Sequence, residues 1–122
     1  MKWCIGLVLA VWLVQLCPAV ELGKLKVLYV GNARSARAAD FKAFLGTNVA
    51  RVEVAGRAGF DPAMAGAFDV VLLDWSQSDS RGAFPPTTSP LGERAAWTKP
   101  TVLLGSAGLH MACVWDIKGG FG

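Results

Sequence analysis

The hydrophobic positions of this chain come in short dense runs divided by turn-forming residues, the pattern expected of buried strands linked by modest helices. Lys26-Val27-Leu28-Tyr29-Val30-Gly31-Asn32 is apolar and β-branched until Gly-Asn closes it, which predicts a first strand buried on both faces. Ser35 can then cap a helix running through Phe44 and Leu45, with Ala38, Phe41, Phe44 and Leu45 as its inward face and Gly46 as a left-handed stop. Between Asn48 and Val54, Val49, Val52 and Val54 alternate imperfectly with Arg51 and Glu53, which suits a shorter edge strand. Asp61-Pro62 opens a brief helix that Gly66 ends, and Phe68 to Trp75 is the clearest strand pattern in the chain.

From Ser76 to Lys99 the composition turns to Ser, Thr, Pro and Gly, with only a short helix expected after Ser89-Pro90. A connection of that length inside a compact domain reads as a lid or a flexible segment. Pro100 to Leu104 is a further apolar strand, and Gly105-Ser106-Ala107-Gly108 turns into a helix from Leu109 to Ile117 before a glycine-rich end. The alternation of strand and helix predicts an α/β fold, a three-layer parallel sheet of about four strands with right-handed crossovers. Such a sheet keeps an open edge beside Val102 to Leu104, the mark of an incomplete domain or of one that pairs with a second copy there.

Composition narrows the class. The chain has 122 residues, 53% hydrophobic and 17% charged, with a formal charge of +3, which excludes disordered and collagenous classes. It is too short for two ordinary domains. Lys2, the apolar stretch Trp3 to Val14 and the closing Cys17-Pro18-Ala19 have the order of a secretory signal peptide cleaved after Ala19. The run is shorter than the ~20 residues a spanning helix needs, so the expectation is an exported, periplasmic or secreted chain with no membrane anchor after cleavage. Its basic residues are scattered singly among acids, with no stripe suited to nucleic acid. Cys4 and Cys17 leave with the signal, and Cys113 alone makes no internal disulfide.

Ligands of open α/β sheets gather at the carboxyl ends of the strands, which singles out three turns. In the first, Gly31-Asn32-Ala33-Arg34-Ser35 offers Asn32 and Arg34 at a helix start without the glycine and lysine pattern of a P-loop. At the second, Asp74 and Trp75 end a buried strand, and Asp74 would point its carboxylate into the crevice as base, metal ligand or phosphate acceptor. As a purely structural group it caps the following turn. The third, Gly105-Ser106-Ala107-Gly108, has the strand-turn-helix layout of a nucleophile elbow, without a Gly-x-Ser-x-Gly pattern around Ser106. His110, the only histidine, lies four residues after Ser106 and three before Cys113. A pair is too few ligands for zinc, so Cys113 is expected to pack as a small apolar residue and no metal or cofactor is expected.

The strands Val27 to Val30 and Val70 to Asp74, with Gly105-Ser106-Ala107-Gly108-Leu109-His110-Met111-Ala112, Trp115 and Gly119-Gly120-Phe121, resemble the class I glutamine amidotransferase-like superfamily. Within it they are most similar to the trehalose-utilisation (ThuA-like) branch. The match spans the chain from about Lys24 onward and corresponds to the first half or somewhat more of the family domain. The resemblance implies a flavodoxin-like sheet with a site over Asn32, Asp74 and His110, and a sugar-related small molecule or a protein partner as ligand. It also implies that Ala107 stands where a working glutaminase carries its nucleophilic cysteine, so ammonia release from glutamine is not expected. Two other readings remain at this level. One is a hydrolase using His110, Asp74 and Ser106. The other is a receiver-like phosphoacceptor at Asp74, against which Gly31-Asn32 stands in place of a magnesium-binding acid pair.

Overall fold

The computed structural model describes residues 21–81 and 86–117. The signal-peptide reading, Cys4, Cys17 and the segment Gly119-Gly120-Phe121 lie outside them. Among the described residues no helix is long and apolar enough to cross a membrane.

Four parallel strands, β1 (Lys26–Gly31), β2 (Arg51–Gly56), β3 (Val70–Trp75) and β4 (Thr101–Gly105), form one sheet in the order β2-β1-β3-β4. This is the strand order of a flavodoxin-like doubly wound sheet, in which the chain reverses direction beside β1. Helix α1 (Ala36–Gly46) packs on β1 and β2, whereas α3 (Ala107–Val114) packs on β3 and β4. The two helices lie on opposite faces, α1 against Tyr29 and α3 against the side of Leu28 and Val30, giving three layers. A single turn, α2 (Gln77–Ser80), follows β3, and 3₁₀ turns at Leu22–Lys24, Pro62–Ala67 and Arg94–Ala96 complete the elements.

The strand registers sort the core. Leu28 and Val30 lie beside Val71 and Leu73 and pack with Leu91 and Met111 on the α3 face. Each such fully buried side chain contributes about 1.5–3 kcal/mol relative to exposure. Tyr29 and Val27 alternate onto the other face, where the Tyr29 ring meets Phe41 of α1 at 5.3 Å.

Several expectations are corrected. Phe44 is 68% exposed, because α1 covers only β1 and β2 and meets them through the narrow stripe of Ala38, Phe41 and Leu45. Gly46 is helical rather than a left-handed stop; α1 ends at Thr47 (φ −87°), and Thr47 Oγ1 and Asn48 Nδ2 each donate to the Phe44 carbonyl at 2.8 Å. That side-chain cap makes a glycine cap unnecessary. β2 starts at Arg51 and runs to Gly56, later than the valine pattern implies. α3 starts at Ala107 and ends at Val114, with Asp116 at φ 46° turning the chain away. Its buried stripe is Ala107, His110 and Met111, so Cys113 falls outside it and is exposed rather than packed. By contrast, the open edge expected beside Val102 to Leu104 agrees with the described residues, in which β4 is the last strand of the sheet and Val102 and Leu103 are 46% and 42% exposed.

The connection from Ser76 to Lys99 is neither a simple lid nor an unattached segment in its described parts. Leu91 is buried in the core, the Trp115 indole donates to the Gly92 carbonyl at 2.9 Å, and Trp97 Nε1 donates to Thr101 Oγ1 at 2.8 Å. Leu91 and the two tryptophans supply the apolar anchorage that the polar composition concealed.

Candidate functional site

The carboxyl ends of β1, β2 and β3 open into a cleft of about 770 Å³. Its walls come from the turns after β1 (Asn32, Arg34) and β2 (Arg57, Phe60), and from Trp75 and Asp79. Thr88, Ser89 and Pro90 close the remaining side. The volume lies in the range of small-molecule sites, about 300–1,000 Å³.

Arg57 organises the cleft. Its backbone N–H donates to the Gly31 carbonyl at 2.9 Å, continuing the β1–β2 ladder one residue past the strand and turning the side chain over the sheet's end. From there Nη1 donates to the Asp74 carbonyl at 2.6 Å and Nη2 to Asp79 Oδ2 at 3.1 Å, with the guanidinium 4.5 Å from the centre of the Trp75 ring. Asp79 also accepts from Asn32 Nδ2 at 3.4 Å. Burial raises the Asp79 carboxyl, but hydrogen bonds from Arg57, Ser76 and Asn32 outweigh it and leave the group below the usual carboxylate range. Ser76 caps α2 by accepting from the Asp79 N–H at 3.2 Å, the first half of a capping box.

Of the four residues expected to bind a ligand, Asn32, Arg34 and Trp75 line this cleft together and Gly105 does not. His110 lies behind it, stacked on Trp75 with ring centres 3.9 Å apart and hydrogen-bonded through Nε2 to Ser80 Oγ at 3.2 Å. Burial, and then the positive charge of Arg57, hold the His110 imidazole below its ordinary value and so favour the neutral ring.

Asp74 is not directed into the crevice. It is 2% exposed on the α1 face, where it accepts from the Tyr29 hydroxyl and, as a bidentate pair, from Arg37 Nε at 2.6 Å and Nη2 at 3.0 Å. Nor does Asp74 cap the following turn, a role taken by Ser76. Burial first, then the Asp74 hydrogen bond, push the Tyr29 hydroxyl well above the usual phenol range, so it stays protonated as the donor. The same Asp74 bond raises the Arg37 guanidinium. Gly31 makes room for this arrangement: a Cβ there would lie 2.6 Å from the Tyr29 ring.

Gly105 and Ser106 sit behind Trp75 rather than on the cleft wall. Gly105 has φ 61°, and a Cβ on it would lie 2.4 Å from the Trp75 carbonyl oxygen, so both its backbone and its neighbour require glycine. The Ser106 N–H donates to that same oxygen at 2.7 Å. The left-handed residue of the turn is thus Gly105, which adopts it without strain, while Ser106 has φ −82° and ψ 1°. Ala107, at the position the resemblance assigns to a nucleophile, is fully buried.

Sequence reading missed Tyr29, Arg37, Arg57, Phe60 and Asp79. A signal existed for two of them. Ser76-Gln77-Ser78-Asp79 has capping-box spacing, and Arg57 directly follows Gly56 at the end of an edge strand. Among the described residues, no group of three or more His, Cys, Asp or Glu side chains converges as a metal site. Protein-family models, characterised proteins and solved structures give no match to the chain, so its fold rests on its own geometry.

Proposed function

We propose that this chain is an exported, non-catalytic binding domain of the ThuA-like, amidotransferase-like kind, and that the cleft over β1, β2 and β3 holds a sugar-related small molecule. The observation that carries the reading is the make-up of that cleft. An aromatic side chain, Phe60, and the Trp75 edge stand beside the planar polar groups of Asn32, Arg57 and Asp79. A ring with an apolar face and a hydroxyl rim fits such a mixture of aromatic surface and fixed donors and acceptors. The described cleft lining contains neither histidine nor cysteine. The candidate groups Asp74 and His110 are engaged elsewhere, in the Tyr29–Arg37 network and against Trp75, which favours binding over hydrolysis or phosphotransfer.

Isothermal titration of the full chain with a panel of mono- and disaccharides, neutral and acidic, tests the reading. Saturable binding that weakens about tenfold in Asn32→Ala and Phe60→Ala is expected, since each removes a direct contact. No heat and no thermal stabilisation across the panel would sink it.

A further inference from the structure

The charges around the cleft are not equivalent. Three charged side chains line it: Arg34, Arg57 and Asp79. Arg57 and Asp79 satisfy each other at 3.1 Å, and Arg57 is further committed to the Asp74 carbonyl and the face of Trp75. With its side chain only 15% exposed, Arg57 is a fixed part of the wall. Arg34 is exposed at the rim. The chain's Asp and Glu residues total 9, and all fall within the described residues. The acids in ion pairs are Glu21, Glu53, Asp74 and Asp79, paired with Lys24, Arg51, Arg37 and Arg57. None takes Arg34, and among the described residues the cleft therefore carries one positive charge that no Asp or Glu side chain neutralises.

Part of the backbone beside Arg34 is already committed within the turn. The Arg34 N–H donates to Asn32 Oδ1 at 3.3 Å, the Ser35 N–H to the Asn32 carbonyl at 3.0 Å and the Ala38 N–H to Ser35 Oγ at 3.1 Å. Those three donors are used within the turn, and the charged side chain left to meet a negative group at the cleft is that of Arg34. A guanidinium presents a planar fork that matches a carboxylate or phosphate with two parallel hydrogen bonds.

We infer that the ligand of this cleft is an anionic sugar, a ring bearing one carboxylate or phosphate, and that Arg34 is the residue that reads its charge. The inference rests on the sugar-binding reading and adds to it the ligand's charge and the group that selects it. The polar wall of Asn32 and Asp79 then meets the hydroxyls, while Arg34 at the rim holds the acidic group.

The test is titration of the full chain and of Arg34→Gln with glucose, glucuronate, glucose 6-phosphate and inorganic phosphate at low and moderate salt. Glucuronate or glucose 6-phosphate should bind at least about tenfold more tightly than glucose, with the preference shrinking as salt rises. Arg34→Gln should remove that preference and leave the thermal midpoint unchanged, because the side chain is exposed and unpaired with any acid. Whichever acid binds tighter identifies the charged group as carboxylate or phosphate. Equal binding of glucose and the two acids, or a preference that survives in Arg34→Gln, would overturn the inference while sparing the sugar-binding reading. Inorganic phosphate binding as tightly as glucose 6-phosphate would also overturn it, since the ring would then contribute nothing. Binding of none of the four would overturn the inference, and the sugar-binding reading falls with it only if the wider panel is also silent.

Discussion

Asp74 and Trp75 are consecutive residues of β3, yet the pleat sends their side chains to opposite faces and into unlike surroundings. On the α1 face, Asp74 is enclosed by Tyr29 and Arg37, so every oxygen of its carboxylate is engaged by a donor of the chain. On the α3 face, Trp75 stacks on His110, lies under Arg57 and leaves part of its surface to the cleft. One side is a closed polar lock and the other a half-open aromatic floor. The difference separates what holds the strand ends together from what remains available to a ligand, although both lie within one residue of the same carboxyl end.

The lock should be the costlier side to disturb. Asp74→Ala leaves the buried Tyr29 hydroxyl without its acceptor and frees Arg37, which is half exposed and can turn to water. We expect a loss of about 3 kcal/mol in urea unfolding. A loss below about 1 kcal/mol would make the two faces energetically alike. His110→Ala removes the ring under Trp75 and opens a void beside it, with an expected loss of about 2 kcal/mol and a change in tryptophan emission. His110→Phe, which preserves a stacked ring, should recover a good part of that loss; no recovery would assign the effect to the polar interactions of the imidazole instead.

Acid has the smallest effect and acts on the aromatic side first. The folded His110 holds its proton less tightly than the unfolded chain, whose imidazole titrates near 6.5. Stability should therefore be level above neutrality and fall as pH drops below that value, by less than the His110→Ala loss. Asp79 is likewise depressed, so its contribution is present above the ordinary carboxylate value of 3.8 and disappears as pH falls further. A His110→Phe chain should lose the first step and keep the second, as read from urea midpoints across the pH range.

The architecture was legible because buried parallel strands have to be continuous apolar runs. Val27 to Val30 and Val70 to Leu73 announce themselves, and the turn after each follows from Gly31-Asn32 and from Asp74. The site was legible only in part. Position at a strand end identified Asn32, Arg34 and Trp75, which do line the cleft. It did not reveal what Asp74 meets on the face to which the pleat turns it, a tyrosine 45 residues earlier in the chain, nor the role of Arg57. Long-range pairs of this kind leave no trace in local spacing. The Ser76 to Lys99 connection misled for a related reason: Leu91 and Trp97 are isolated apolar residues in a polar stretch, and their partners Met111 and Thr101 belong to other elements.

The central position of β1 also sets the order in which the fold can assemble. Lys26 pairs with Arg51, Val27 with Val70, and Val71 with Thr101, so every ladder of the sheet spans an intervening helix or a long connection. Each pairing must close a large loop before any hydrogen bond rewards it, and such topologies fold more slowly than helical bundles of equal length. β1 has two strand partners, β2 and β3, and its backbone is fully paired only once both ladders have closed. The Tyr29 hydroxyl meets its carboxylate only where β3 lies beside β1, so the polar lock can close no earlier than the β1–β3 ladder that brings the two together.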